Sequence, residues 1–270
     1  MLTSGCHRAY VAGRYRRVAR SGEERSGNED SGALSGDDRA VAAAVFRHFA
    51  CPADARDAKW RHRFYDLIAH ARFGQRDPRI TVAPDGFPYY QLDVPVPGGP
   101  AGTMAIPTLI ELATSSGFGI TVNAGRGDPW MFSCGDLVTR RAFGTYEFPR
   151  IGMPGGSGPV LRQVRKSEGG VSIGAPPAGL LPRFVQPLLR RYFTGRLGIA
   201  RPGVLAMLSA DGDPPEQLVF RLSRADFADQ ASFEAALAGV TWFLPRHIVV
   251  SVLPPDAVLR LERAFVPLLG

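Results

Sequence analysis

Cys134 is the residue with the clearest potential for covalent chemistry. It follows Ser133 and precedes Asp136, at the predicted start of a short helix. A helix N-terminus stabilises a thiolate, so this cysteine is a candidate nucleophile. Such chemistry also needs a base, and His70 or His247 would have to approach Cys134 in the folded protein because no histidine is close in sequence. A buried, inert thiol is the favoured explanation for Cys134. An enzyme whose site is assembled from distant residues, with Cys134 as the nucleophile, is one alternative.

A second candidate site is a loop between two predicted strands. It contains Arg126, Gly127 and Asp128, and Trp130 follows it. Loops held between strands often carry binding groups. We take Arg126, Asp128 and Trp130 as candidate binding residues because they combine a cation, a carboxylate and an indole. His247, at the start of a strongly apolar strand, is the fourth candidate, as a capping or hydrogen-bonding group.

Motifs for other chemistries are missing from the sequence. It contains no Walker phosphate loop, no dinucleotide-binding glycine motif and no HExxH zinc motif. Cys6, Cys51 and Cys134 are odd in number and widely spaced, which indicates neither a zinc site nor a disulfide framework. The five histidines show no metal-ligand spacing. The leading prediction therefore has no catalytic residue, no cofactor and no metal.

The composition of the 270 residues is that of an ordinary globular protein, with 45% hydrophobic and 21% charged residues. The net charge of +7 suggests nucleic-acid binding through arginines, which is a further alternative. The basic residues are not concentrated in one stretch, since residues 1–38 contain six arginines and six acidic residues. Solvated surface is the favoured explanation for the charge.

Periodicity and turn residues divide the chain into four parts. Residues 1–38 are rich in Ser, Gly and charge, and we predict a disordered arm. Residues 39–150 predict an N-terminal α+β domain, with a strong helix over 57–73 whose apolar residues recur every three or four positions. Residues 151–177 predict a linker because glycine and proline dominate them. Residues 178–270 predict a C-terminal α+β domain.

The two predicted domains have a similar order of elements. Each runs helix, two strands through an Asp-Gly turn, helix, strand and helix, and the first has an extra strand near Trp130. The turns are Asp85-Gly86 and Asp211-Gly212. The predicted fold class is therefore α+β, with antiparallel-rich sheets covered by helices.

The C-terminal half resembles a known bacterial family. A helix over residues 182–193 precedes the strand Val204-Leu205-Ala206-Met207-Leu208, and a hairpin leads to the strand Gln217-Leu218-Val219-Phe220-Arg221-Leu222. This pattern, over residues 178–225, is similar to the C-terminal domain of the enhanced-serine-sensitivity (SseB) family. The resemblance implies a bacterial cytoplasmic α+β protein, and it carries over no catalytic residue.

The expected partner of this chain is another protein. No apolar run approaches the length of about 18 residues that a membrane helix needs, and the cysteine usage fits a reducing compartment. We therefore expect a cytoplasmic protein without a membrane partner. Loops with aromatic residues and arginine suit protein interfaces, so the leading hypothesis is a non-catalytic protein that binds a protein partner or associates with itself.

Overall fold

The computed structural model describes residues 36–96, 102–125, 127–147, 161–163, 171–209 and 215–269. Two mixed β-sheets and seven α-helices in these ranges confirm the predicted α+β class. Residues 1–35 of the predicted arm lie outside the described residues, and the first described helix begins at Gly36.

The helices and strands follow one another in two series along the chain. The helices are α1 (Gly36–His48), α2 (Ala58–Ile68), α3 (Ile106–Ser116), α4 (Cys134–Phe143), α5 (Gln186–Arg196), α6 (Gln230–Trp242) and α7 (Pro255–Arg260). The strands are β1 (Arg72–Val82), β2 (Pro88–Asp93), β3 (Met104–Ala105), β4 (Gly119–Val122), β5 (Trp130–Phe132), β6 (Leu161–Gln163), β7 (Val171–Gly174), β8 (Gly203–Ser209), β9 (Glu216–Phe220), β10 (Val250–Val252) and β11 (Val266–Pro267).

The first sheet has the strand order β3-β1-β2-β4-β5. β1 and β2 form the predicted antiparallel hairpin, and Gly86 has the positive φ of 82° that its turn requires. β2 and β4 are parallel, with α3 between them in the chain. One face of the sheet is apolar and packs against α2 and α3, as the burial of Phe64, Leu109 and Ile120 shows.

The predicted helix over 57–73 is shorter in the structure. α2 ends at Ile68, and Arg72 and Phe73 already belong to β1, where they pair with β3. Asp57 caps the helix by accepting a hydrogen bond from the Trp60 amide at 2.8 Å. The apolar period continues past the end of the helix because Ala71 and Phe73 bury into the same core from a different backbone conformation.

The second sheet has the order β11-β8-β9-β10-β6, and β7 also pairs with β8. Its pattern repeats that of the first sheet: β8 and β9 are antiparallel, whereas β9 and β10 are parallel with α6 between them. The order α5-β8-β9-α6-β10-α7 thus matches α2-β1-β2-α3-β4-α4, with β3 and β5 inserted in the first half. The turn between β8 and β9 lies outside the described residues.

Two strands of the second sheet lie in the stretch predicted as a linker. β6 pairs in parallel with β10, and β7 pairs antiparallel with β8. In Val171-Ser172-Ile173-Gly174, β-branched residues alternate with small ones, a strand pattern that the surrounding glycines concealed. Seven residues of the predicted linker 151–177 therefore pair in the second sheet, and the division into two domains remains a prediction.

The end of the chain also differs from the sequence prediction. The apolar positions from Val258 to Val266 predicted one amphipathic helix. The structure has the short helix α7, then a 3₁₀ turn over Glu262–Ala264, and Val266 lies in β11 opposite Val204. Backbone pairing with β8 therefore replaces helix in this last stretch.

The two halves of the chain are packed against each other. The hydrophobic core under the second sheet includes Tyr89, Cys134 and Val138 from the first half. Trp242, at the end of α6, stacks on Phe87 with ring centroids 4.2 Å apart. Its indole donates a hydrogen bond of 3.1 Å to the buried carbonyl of Gly117. The Trp242 ring is therefore buried between the two halves while its indole N–H keeps a hydrogen-bond acceptor.

The N-terminus of α4 meets the turn that follows α6. Ser133 and Asp136 form a capping box, in which the Ser133 hydroxyl accepts from the Asp136 amide and the Asp136 carboxylate accepts from the Ser133 amide. The same carboxylate accepts from Arg246 Nε and Nη2 at 2.7 and 2.8 Å. At Gly135, a Cβ atom would lie 2.1 Å from the Leu244 carbonyl oxygen. Only glycine allows this approach.

Substitution of Gly135 by alanine tests the contact. We expect Gly135→Ala to lower the free energy of unfolding by about 1–3 kcal/mol, because the added methyl collides with a backbone oxygen. Helix propensity alone predicts the opposite sign, a gain of about 1 kcal/mol. Urea unfolding measures the change, and Gly179→Ala is the control because nothing lies within 4 Å of its Cβ position. Equal stability of the two variants would contradict the contact.

Candidate functional site

The loop with the predicted binding residues is fixed to the first sheet at its beginning. Asn123 has a positive φ of 67°, and the Ala124 amide donates to the Leu92 carbonyl at 3.0 Å. The Gly125 amide donates to the Asp93 carboxylate at 2.8 Å. Arg126 lies outside the described residues. Asp128 is exposed, and its backbone carbonyl accepts a hydrogen bond of 3.1 Å from Arg56 Nη1.

Trp130 is a member of an aromatic cluster and is half-buried, rather than displayed on the loop. Its ring centroid lies 5.2 Å from that of Trp60 and 5.5 Å from that of Phe64. His48 stacks on Trp60 at 4.5 Å. The structure thus keeps Asp128 and Trp130 close together, and the rings around Trp130 are those of Trp60, Phe64 and Tyr65 from α2 and of Phe132 from β5.

Arg56 is the residue of this region that the sequence analysis missed. Its guanidinium carbon lies 5.3 Å from the centre of the Phe49 ring and 4.9 Å from that of the Trp60 ring, distances at which cation–π attraction operates. Its Nε donates to the Cys51 carbonyl at 3.2 Å. Asp128 is 72 positions away, and no local signal in the sequence indicates this pairing.

His247 lies in a different part of the structure. Its ring packs edge-on against Phe143, at the end of α4, with centroids 5.4 Å apart. Burial lowers the pKa of His247 from 6.5 to about 4, since desolvation disfavours the charged imidazolium. The structure therefore does not place His247 beside Asp128 and Trp130 in a common constellation, and the imidazole is neutral at physiological pH.

Cys134 lies at the start of a helix, as predicted, and its burial confirms the favoured explanation of an inert thiol. It is the first residue of α4, and it is completely buried in the core shared by the two halves. Burial raises the pKa of the Cys134 thiol far above its ordinary value, and the nearby Asp136 carboxylate raises it further. This environment disfavours the thiolate that a nucleophile requires, because desolvation outweighs the helix terminus.

The described residues also contain an open cleft and an exposed edge strand. The cleft, of about 520 Å³, lies between α1 and α2 and is lined by Val41, Arg63, Asp66, Leu67 and His70. The edge strand is β7, whose four residues are all exposed and which pairs with β8 on one side. Val171 and Ile173 project from it with 43% and 40% of their surface exposed.

Within the described ranges, no three or more His, Cys, Asp or Glu side chains are grouped so that they would hold a metal ion. Within the same part of the chain, no helix is long and apolar enough to cross a membrane. Comparison with known proteins gives no assignment either, since no family model, no curated protein and no solved structure matches this chain.

The environment of His247 predicts a pH dependence of stability. The unfolded state takes up a proton near pH 6.5, whereas the folded state takes it up only near pH 4. The contribution of His247 to stability is therefore complete above pH 6.5 and is lost as the pH falls towards 4. We expect His247→Phe to lose less stability than the wild type between pH 7.5 and 4.5 in urea unfolding. Parallel pH profiles of the two proteins would contradict this assignment.

The burial of Cys134 predicts its resistance to thiol reagents. We expect a maleimide to leave Cys134 unmodified in the native protein and to modify it in urea, because the folded thiol is inaccessible. Mass spectrometry of peptides locates the label, with the partly exposed Cys51 as internal control. Rapid native labelling of Cys134 would restore it as a candidate nucleophile.

Proposed function

We propose that this chain is a non-catalytic protein that acts through protein–protein interaction, and that β7 makes the contact by pairing with β7 of a second copy. The single observation that carries the proposal is the open edge of β7. Its residues carry no charge, and β8 is the only described strand that pairs with it. Proteins usually protect an apolar edge with lysine, proline or a covering element, so an unprotected edge is suited to strand addition.

The sequence of β7 is complementary to itself. Two copies of β7 can pair antiparallel about a two-fold axis perpendicular to the sheet. This rotation keeps each side chain on the same face of the combined sheet. If the axis passes through Ser172, Val171 of one copy lies opposite Ile173 of the other. Both residues lie on the same face of the sheet, because side chains alternate along a strand. The two Val–Ile pairs would bury side chains that are 43% and 40% exposed in one copy, and β-branched pairs of this kind stabilise sheets.

The small size of the contact predicts a weak association. Four residues on each side cover much less than the approximately 1,200 Å² of a standard stable interface. The net charge of +7 on each copy also opposes approach at low salt. We therefore expect a dimer whose population rises with protein concentration and with moderate salt, rather than a permanent one.

The proposal extends to the setting of the protein. The resemblance of residues 178–225 to the enhanced-serine-sensitivity family supports a bacterial cytoplasmic protein. The widely spaced cysteines support the same compartment, and the buried Cys134 supports a role without catalysis.

Sedimentation equilibrium tests the association. We expect the wild type to shift from monomer to dimer as its concentration rises, and Ile173→Lys to weaken the dimer at least about tenfold, since two lysines would face valines across the axis. Leu259→Lys is the matched control, because Leu259 is 75% exposed and belongs to α7, not to β7. A wild type that is monomeric at every concentration, or equal weakening by both substitutions, would contradict the proposal.

A cysteine at the proposed axis gives a geometric test. In a chain with Cys6→Ser and Cys51→Ser, we expect Ser172→Cys to form a disulfide with its own copy under mild oxidation, because the two positions face each other. Ser115→Cys, another exposed serine position, is the control. If Ser172→Cys cross-links no faster than Ser115→Cys, β7 does not pair with itself.

A further inference from the structure

Two hydrogen-bond donors in the aromatic cluster around Trp60 have no acceptor in the part of the chain that the structure describes. Arg56 Nη2 and Trp130 Nε1 are both buried, and neither finds a partner among the described residues. A buried donor without an acceptor loses its hydration without compensation, so such groups are rare in folded proteins and call for an explanation. Two of them in one cluster point to a common acceptor.

The charge at this place is also unbalanced. Arg56 uses Nε for the Cys51 carbonyl and Nη1 for the Asp128 carbonyl, which are neutral acceptors. Among the described residues no carboxylate forms an ion pair with it. Arginine keeps its charge in proteins, so a half-buried guanidinium without a counter-ion attracts an anion.

Arg56 and Trp130 share Trp60 as a neighbour. Trp60 lies next to both, with the guanidinium carbon 4.9 Å from its ring centre and the Trp130 centroid 5.2 Å from it. Arg56 also holds the backbone at Asp128, two residues before Trp130. The loop residues Gly127, Asp128 and Pro129 are exposed, and nothing lies within 4 Å of the Cβ position of Gly127. A ligand would have to enter past this exposed loop, because both donor atoms are buried.

We propose that Arg56 and Trp130 bind a carboxylate group, with one oxygen accepting from Arg56 Nη2 and the other from Trp130 Nε1. A carboxylate supplies a negative charge opposite the guanidinium and one acceptor oxygen for each donor. Charge-assisted hydrogen bonds to arginine are among the strongest in proteins. The neighbouring rings of Phe49 and Trp60 exclude water and strengthen the attraction. This site is independent of β7, so that either proposal can fail alone.

The three tryptophans of the chain allow a direct test by NMR in the full-length protein. The indole N–H groups of Trp60 and Trp242 already donate to backbone carbonyls, of His48 at 3.0 Å and of Gly117 at 3.1 Å. We expect titration with sodium acetate to shift the Trp130 indole proton in a saturable way and to leave the other two in place. Sodium chloride at the same ionic strength is the control.

Two variants connect the shift to the site. We expect Arg56→Gln to weaken acetate binding at least about tenfold, because it removes the charge and the free donor. An unchanged indole signal of Trp242, which lies outside the cluster, confirms that the variant is folded. Trp130→Phe retains an aromatic ring and removes the N–H donor. The indole signal that disappears in this variant is that of Trp130. We expect the variant to bind acetate more weakly, as measured by the shift of the Arg56 Nε–H signal.

Peptide ligands distinguish the source of the carboxylate. Tighter binding of N-acetyl-diglycine than of acetate indicates a polypeptide C-terminus, whereas equal or weaker binding indicates a small acid, and both results support the site. The amide of the same peptide should not bind. A Trp130 proton that does not respond to acetate, an equal response in Arg56→Gln, or equal binding of inorganic phosphate would overturn the proposal.

Discussion

The contact between the start of α4 and the turn after α6 is the constraint on which the arrangement of the two halves depends. Asp136 caps its own helix and at the same time accepts two hydrogen bonds from Arg246. Its carboxylate is therefore fully used, which makes burial of the charge tolerable. Gly135 lets the Leu244 carbonyl approach the helix more closely than any side chain would permit. A local capping motif thus serves also as a tertiary contact.

This contact explains why the potential nucleophile is inert. Docking of α4 closes the core over Cys134 and Val138, and Trp242 fills the adjacent space against Phe87. The helix terminus that would favour a thiolate in water is here inside an apolar core, where desolvation raises the pKa of the thiol. The same packing leaves His247 neutral beside Phe143. The groups with the most reactive chemistry are therefore used for packing.

The features with unused binding capacity lie away from this interface. β7 adds an uncharged strand to the second sheet and leaves one edge open among the described residues. The cluster of Arg56 and Trp130 has two donors without acceptors in the first half. One feature offers backbone pairing and the other offers charge and hydrogen bonds, so they suit different ligands. Both are compatible with a chain that works by binding.

The sequence alone determined the elements whose signals are local. The apolar spacing of α2, the positive φ at Gly86 and the repeated order of helix, hairpin, helix and strand follow from propensity and turn chemistry. The tertiary structure alone decided where α2 gives way to β1, that β7 is a strand, and that Arg56 meets Asp128. These outcomes depend on pairing and packing between residues far apart in the chain, whose energies no single segment of sequence contains.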